Sequence, residues 1–179
     1  MAKDNIKSKK GFTIIEVVLV LAIAGLIFLM VFIALPALQR SQRDTQRRDD
    51  MGRFIAQLAQ YQANNNNQVP GKPGTLNDWN NFITNYLRVG GDTFQDPNGT
   101  NYSVASVCVM TNNTTCANTS LGTKIKPDAA LTWDANKNQI MVYTNARCDG
   151  EKAVYVANSP NQIAVRYKLE GAGIYCGNN

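Results

Sequence analysis

Hydrophobic residues are concentrated in one segment near the start of the chain, where almost no polar side chain interrupts them. Residues 12–38 read FTIIEVVLVLAIAGLIFLMVFIALPAL, with Glu16 as their one charged residue. A helix needs about 20 apolar residues to cross a hydrocarbon core about 30 Å thick. The segment therefore predicts a membrane-spanning helix over residues 12–38. It is too long for the apolar part of a cleaved secretory signal, and no A-x-A-like site follows it.

The residues that follow predict that the helix continues with a changed character. Residues 39–50 read QRSQRDTQRRDD and contain no large apolar side chain. We expect residues 39–66 to form an amphipathic helix that packs on a β-sheet. Four asparagines at residues 64–67 and a Val-Pro-Gly sequence mark its end. The apolar stripe of this helix recurs at helical spacing and consists of Met51, Phe54, Ile55, Leu58 and Tyr61.

Charged side chains dominate residues 39–50. Two acid-first pairs at i,i+4 spacing, Asp44–Arg48 and Asp49–Arg53, should stabilise a helix by about 0.2–0.5 kcal/mol each. The same arginines and aspartates could instead pair between subunits, or the segment could be a solvated neck. The sequence leaves these alternatives open.

The remaining residues, 67–179, predict a small α+β head. Residues 70–100 form a connector rich in Gly, Pro, Asn and Asp, with a short helix near residues 76–87. Strands are predicted at residues 102–110, 139–143, 153–156 and 163–169, with a further short strand at 173–176. We expect an antiparallel meander of about four strands, one face of which packs on the apolar stripe. The predicted fold class is α+β, a long N-terminal helix packed on a small antiparallel sheet.

Composition argues against an enzyme. The chain has no histidine, which is the commonest general base and metal ligand. It shows no nucleophile motif and no glycine-rich phosphate loop. Residues 1–11 hold four lysines and one aspartate, so that the net charge of +5 falls to +2 for the rest of the chain. We therefore expect no catalytic residue, metal site, cofactor or dedicated acidic partner.

Glu16 is unusual within the apolar segment, since a carboxylate costs about 2.5–3.5 kcal/mol at the centre of a membrane helix and less near its ends. Such a residue either has a functional partner or extends its side chain to the headgroups. The surrounding string KKGFTIIEVVLVLAIAGL favours a function, because it resembles the class III signal of type IV prepilins and related pseudopilins. The residues that carry this resemblance are Lys9, Lys10, Gly11, Phe12, Thr13 and Glu16.

The resemblance implies a processing step. An integral-membrane prepilin peptidase would cut between Gly11 and Phe12 and would methylate the new amine of Phe12. Residues 1–11 would then be a cytoplasmic leader, and the chain would be the substrate of that enzyme. A glycine suits the cut, because a residue without a side chain admits close approach to its backbone.

Charge indicates what Glu16 does after processing. Cleavage would turn the amide nitrogen of Phe12 into an ammonium, and Glu16 lies about 6 Å further along the helix axis. The ammonium of one subunit could pair with Glu16 of a neighbour displaced along the axis, which would favour one register. Phe12 and Glu16 are therefore the predicted assembly residues. Gly25 and Pro36 are predicted to break the helix, with a kink near Pro36.

Four cysteines follow the membrane segment, and their even number predicts disulfides in an oxidising compartment. Three pairings are possible, and sequence cannot decide among them. We favour Cys108–Cys116, which closes a small loop, and Cys148–Cys176, which ties the C-terminal tail to the sheet. The second pair resembles the C-terminal disulfide loop of many pilins.

The resemblance also implies a topology and a set of partners. The chain would begin as a single-pass precursor in the inner or cytoplasmic membrane, with its N-terminus inside, and would end in an extracellular pilus. The leader lysines fit this orientation, whereas the arginines that follow the span leave it undecided on charge alone. Implied partners are further copies of the chain, the prepilin peptidase, and the pilus assembly platform with its ATPases. A host surface and DNA are further candidates.

Two structural roles fit the same signal. The first is a type IV pilus subunit, used for adhesion, twitching motility or DNA uptake. The second is a pseudopilin of a type II secretion or competence system. The cysteine-bearing tail mildly favours the pilin, and the intact Glu16 disfavours tip subunits that lack this acid. A membrane-anchored enzyme or binding protein is the third and least favoured alternative, because the sequence carries no catalytic motif.

Overall fold

The structure, a computed structural model, describes residues 11–70, 76–113, 115–118, 123–125, 138–171 and 173–179. The chain divides into two compact units, Met1–Gln39 and Arg40–Asn179. The division falls within the first helix, next to the change from apolar to polar residues in the sequence.

Helix α1 spans Ile14–Asn64, a length of 51 residues. In the first unit its apolar side chains are exposed, with Phe32 at 73% and Ile33 at 70% of full exposure. Among the described helices it is the one that is long and apolar enough to cross a membrane. We predicted breaks at Gly25 and Pro36, but α1 continues through both residues, so neither ends the helix. The kink near Pro36 stays a prediction. A proline removes one backbone donor but leaves the hydrogen bonds on either side of it in place, so that a helix can pass through it.

A second helical segment lies within the predicted connector, residues 70–100. Helix α2 spans Leu76–Phe82 and continues into a π-helical turn at Ile83–Leu87, where the sequence predicted a short helix. A 3-10 turn at Val89–Gly91 comes next. Gly90 within it has a φ of 70°, a left-handed conformation that glycine adopts without steric cost.

The described residues form eight strands in two sheets. The main sheet has the order β3-β2-β1-β4-β7-β8, and β5 and β6 form a separate hairpin. All pairs are antiparallel except β1 and β4, which run parallel. The fold is thus α+β, as predicted, with a mixed sheet. The strands are β1 (Ser103–Met110), β2 (Cys116–Asn118), β3 (Thr123–Ile125), β4 (Gln139–Thr144), β5 (Ala146–Asp149), β6 (Lys152–Tyr155), β7 (Ile163–Lys168) and β8 (Ile174–Asn178).

The sheet is wider than the predicted meander of four strands. The five predicted strands correspond to β1, β4, β6, β7 and β8, but β6 pairs in the hairpin and not in the main sheet. Strands β2 and β3 were not predicted, because three residues are too few to show a hydrophobic period. Strand β5 was not predicted, because it lies between Asn145 and Gly150, residue types that favour a turn. Strands β2 and β3 lie on one side of β1. Strand β4 lies on the other side of β1 and runs parallel to it.

Alternate residues of a strand point to opposite faces of the sheet, and a separate core covers each face. All five residues of the predicted apolar stripe on α1 belong to the larger core or pack against it. That core joins α1 to the sheet through Met51, Phe54, Leu58, Ile140, Val142, Ile163 and Val165. A smaller core joins the other face to the β5–β6 hairpin through Met141, Tyr143, Ala146, Ala153 and Ala164.

Disulfide bonding fastens the hairpin to the last strand. Cys148 in β5 is bonded to Cys176 in β8, with a Cα–Cα distance of 5.8 Å, and this is the pairing that we favoured. Cys108 is also disulfide-bonded, and none of the described cysteines is free. The side chain of Cys116 lies outside the described residues, so the Cys108–Cys116 pairing stays a prediction.

Candidate functional site

The residues predicted for processing and assembly lie at the start of α1. Gly11, Phe12 and Thr13 precede the helix without regular secondary structure. Phe12 is 91% exposed, and among the described residues no atom beyond the chain neighbours of Gly11 lies within 4 Å of the position that a Cβ on Gly11 would occupy. The described residues therefore leave the Gly11–Phe12 bond uncovered. Lys9 and Lys10 lie outside the described residues.

Glu16 has hydrogen-bond partners within its own chain. The backbone N–H and the hydroxyl of Thr13 both donate to Glu16 Oε2, each over 2.8 Å. The backbone N–H of Glu16 lies 3.4 Å from the Thr13 hydroxyl oxygen, which accepts from it. Thr13 and Glu16 thus form a capping box, the reciprocal pairing that satisfies free donors in the first turn of a helix.

This cap is a role for Glu16 that we did not predict. The signal was present in the sequence, since Thr-x-x-Glu ahead of an apolar run is the pattern of a capping box. The pairing of Glu16 with the amine of another copy stays a prediction. Any such pairing would have to share the carboxylate with Thr13 or displace it.

A second polar cluster centres on Arg47 and lies in the second compact unit, Arg40–Asn179, which we call the head unit. The Arg47 side chain is 8% exposed and Asp96 is fully buried, and the two form a bidentate ion pair. Arg47 Nε donates to Asp96 Oδ2 over 2.6 Å, and Nη2 donates to Oδ1 over 3.0 Å. Arg47 Nη1 donates to Asp44 over 2.9 Å and to Glu170 over 3.1 Å. We call Arg43, Asp44, Arg47, Asp96 and Glu170 the Arg47 cluster.

Glu170 and Asp44 connect the helix to the turn between β7 and β8. Arg43 donates two hydrogen bonds to Glu170, over 2.7 and 2.8 Å. The Asp44 carboxylate in turn accepts the backbone N–H groups of Glu170 and Gly171, each over 2.8 Å. A Cβ on Gly171 would lie 2.9 Å from Asp44 Oδ2, so the absence of a side chain there permits this close approach.

Two buried tyrosines extend the cluster into the core. The Tyr167 hydroxyl donates to Asp96 over 2.9 Å, and the Tyr102 hydroxyl donates to Asp50 over 3.1 Å. Their rings meet edge to face, with centroids 5.5 Å apart. Burial is the main cause that raises the pKa of both tyrosines, and nearby carboxylates add to it. Both tyrosines therefore remain hydrogen-bond donors at neutral pH.

The pKa values of the carboxyl groups in and beside the cluster shift in opposite directions. Hydrogen bonds from Arg43, with help from Arg47, lower the pKa of Glu170 to about 2. Burial by itself would raise the pKa of Asp96, but hydrogen bonds from Arg47, the Asn98 N–H and Tyr167 outweigh it and lower that pKa. For Asp50 burial prevails, and its pKa is raised.

The ion pairs that we predicted from i,i+4 spacing are not those in the structure. Asp44 pairs with Arg47, and Arg53 pairs with Asp50 and with Asp92 of the head. The predictions Asp44–Arg48 and Asp49–Arg53 were therefore wrong. The spacing rule applies to exposed helix surfaces, whereas here partners distant in sequence compete for the same side chains. Within the described ranges no group of three or more His, Cys, Asp or Glu side chains could hold a metal ion.

Comparison with models of protein families finds a match at the start of the chain. Residues 6–32 match the model of the prokaryotic N-terminal methylation motif. This stretch includes the Gly11–Phe12 bond, Glu16 and most of the apolar half of α1. No curated protein and no solved structure matches the chain. The family match therefore covers the start of the chain and leaves the head to be interpreted from its own structure.

The Arg47 cluster predicts a large effect of one substitution. Arg47→Met keeps the apolar stem but leaves Asp96 buried without a cation, which should lower the free energy of unfolding by about 3–5 kcal/mol. Arg48→Met, at an exposed neighbouring position, should change it by less than about 0.5 kcal/mol. Denaturant unfolding of the full chain in detergent measures both. Equal effects of the two substitutions would contradict a stabilising role for the cluster.

The lowered pKa of Glu170 predicts acid sensitivity. A carboxyl whose pKa falls from 4.5 to about 2 on folding stabilises the folded state above pH 4.5, and this contribution is lost as the pH falls towards 2. Asp50, with its raised pKa, contributes with the opposite sign. Glu170→Gln should therefore reduce the loss of stability between pH 5 and pH 2, as followed by thermal unfolding. Glu151→Gln, at another exposed position, is the control, and an identical pH profile for both variants would refute the assignment.

Proposed function

We propose that this chain, which carries the class III signal of type IV pilins within its matched residues, is a structural subunit of a type IV pilus. In this proposal the subunit assembles through its N-terminal helix into an extracellular filament. The matched motif supports a type IV pilin or pseudopilin, a family whose members are structural. The exposed apolar half of α1 is the observation that carries the step from this family to a filament.

The apolar half of α1 has no cover within the described chain. Its large hydrophobic side chains are exposed from Ile14 to Leu38. Soluble monomeric proteins rarely expose a contiguous apolar patch of more than a few hundred Å². A surface of this size must be buried either in lipid or against other protein. Lipid suits the precursor, and the equivalent helices of further copies suit the assembled state.

Removal of residues 1–11 would convert the precursor in the membrane into a subunit that can assemble. The leader holds four lysines, which anchor it on the cytoplasmic side of a membrane and which would be costly to bury among apolar helices. Cleavage after Gly11 would remove them and would leave an ammonium on Phe12. We propose that this ammonium pairs with Glu16 of a neighbouring copy and so sets the register between subunits.

The head would be the part of the subunit that determines the filament surface. Its two cores, the Cys148–Cys176 disulfide and the Arg47 cluster give it a rigid structure of its own. Uses such as adhesion, twitching motility or DNA uptake would depend on that surface. The prepilin peptidase and an assembly platform with its ATPases are the partners that such a subunit needs.

A pseudopilin of a type II secretion or competence system is the second candidate. It would use the same signal, the same helix and the same processing. The disulfide that ties the tail to the sheet favours the pilin, as in the C-terminal loop of many pilins. The two candidates differ in whether the filament extends beyond the cell surface.

Isolation of filaments tests the proposal. We expect electron microscopy of material sheared from cells to show filaments that contain this chain, and N-terminal sequencing to begin at methylated Phe12. Cells that lack the prepilin peptidase should retain the chain in the membrane with residues 1–11 attached. Filaments built from uncleaved chains would refute the processing step, and absence from every extracellular filament would favour the pseudopilin.

Substitution of Glu16 separates its two possible roles. Gln can take the place of Glu in a capping box but carries no charge, so Glu16→Gln keeps the cap and removes the ion pair. If the charge sets the register, Glu16→Gln and Glu16→Ala should both reduce filament yield at least about tenfold, at unchanged amounts of membrane-bound precursor.

Thr13→Ala is the matched control for the cap, because it removes the hydroxyl that donates to Glu16 and accepts from the Glu16 N–H, while the backbone N–H of residue 13 and the Glu16 charge stay in place. It should form filaments in nearly normal amounts, as counted by electron microscopy and by immunoblot of the sheared fraction. The opposite pattern, with normal filaments from Glu16→Gln and few from Thr13→Ala, would show that Glu16 acts as a helix cap alone.

A further inference from the structure

A polar cleft lies in the head at the C-terminal end of α1. It has a volume of about 360 Å³ and opens between the turn that follows α1 and the turn between β6 and β7. Asn67 lines it from the first turn, Asn158, Ser159 and Gln162 line it from the second, and Asn179 completes it. Small-molecule sites commonly measure about 300–1,000 Å³, so the cleft is large enough for a small ligand.

The chemistry of the lining is uniform. The described residues around the cleft supply carboxamides, a serine hydroxyl and a proline, and none of them carries a charged side chain. A carboxamide offers two donors and an acceptor, and a hydroxyl offers one donor and two lone pairs. An anion would find no cation here, and an apolar ligand would leave these groups without partners. The groups match a ligand that both donates and accepts at many points, which is the character of a sugar.

The base of the cleft is held by a buried glutamine. Gln62, 5% exposed, donates to the Asn161 carbonyl over 3.0 Å and accepts from Asn179 over 2.8 Å. Asn179 also donates to the Asn161 carbonyl over 2.9 Å and accepts the Ile163 N–H over 2.9 Å. These bonds connect α1, the β6–β7 turn and the end of β8 into one polar floor.

The rim combines a rigid backbone with available side chains. Asn67 and Asn158 have positive φ values of 59° and 54°, and backbone hydrogen bonds close each turn, from the Asn67 N–H to Gln62 and from the Gln162 N–H to Ser159. The side-chain amides of Asn67, Asn158 and Gln162 make no hydrogen bond to any described residue. A preformed rim lowers the entropy lost when a ligand binds.

We propose that this cleft binds a neutral saccharide, whose hydroxyl groups bond to the carboxamides of the rim and to Ser159. The proposal goes beyond the proposed filament role. It concerns the head unit alone and can be tested on unassembled protein, so a failure to form filaments would not affect its outcome. The ligand could come from another cell or from the envelope of the producing cell, and both sources share this chemistry.

A glycan array probed with the full chain in a sugar-free detergent tests the proposal. A maltoside detergent must be avoided, because its headgroup is itself a neutral saccharide. The array should hold neutral oligosaccharides of animal cell surfaces, neutral fragments of bacterial envelope polysaccharides, and sialylated and sulfated derivatives of the first set. We expect binding to neutral members, and the set that binds identifies the source of the ligand.

Two substitutions connect the binding to the cleft. Ser159→Ala and Gln162→Ala should each weaken the binding of the best neutral oligosaccharide about fivefold or more, as measured by titration. Gln60→Ala removes an exposed carboxamide of α1 outside the cleft and should leave the affinity unchanged. Unchanged thermal unfolding would show that the variants keep their fold.

Three results would overturn the proposal. One is the absence of binding to any neutral oligosaccharide at concentrations up to about 10 mM. Another is a preference for the sialylated or sulfated derivatives, which would indicate a cationic site elsewhere on the chain. The last is equal affinity of Ser159→Ala, Gln162→Ala and the unsubstituted chain, which would place the bound sugar outside the cleft.

Discussion

The buried ion pair between Arg47 and Asp96 is the interaction on which the head unit depends most directly. Burying two charges is costly, and the cost is offset only when each has a complete set of partners. Arg47 meets this condition with three carboxylates, and Asp96 meets it with Arg47, Tyr167 and the Asn98 N–H. The pair therefore requires that α1, the turn before β1 and the β7–β8 turn come together in one arrangement.

This arrangement also explains the charge pattern around residue 40. The sequence places several arginines directly after an apolar segment, a position where positive charge makes membrane orientation ambiguous. In the folded head, Arg43 and Arg47 are neutralised by Glu170, Asp44 and Asp96. Their charges are structural, and less free positive charge remains next to the span than a count of residues implies.

The parts of the fold that depend on local pattern could be predicted, and those that depend on distant pairing could not. The period of Met51, Phe54 and Leu58 indicated the buried face of α1, and short runs of β-branched and aromatic residues near turn signals indicated β4 and β7. Arg47 and Asp96 are 49 positions apart and Arg47 and Glu170 are 123 apart, so that no spacing rule relates them. The processing signal is contiguous and was visible at once, whereas the saccharide cleft joins three separate segments.

The capping box has a consequence for the order of events at the start of the chain. Thr13 and Glu16 both lie after the Gly11–Phe12 bond, so the signal that begins the helix belongs to the portion that would remain after cleavage. A peptidase could therefore shorten the chain without fraying the first turn. The matured end would enter its next environment already folded, with one residue, Phe12, ahead of a closed cap.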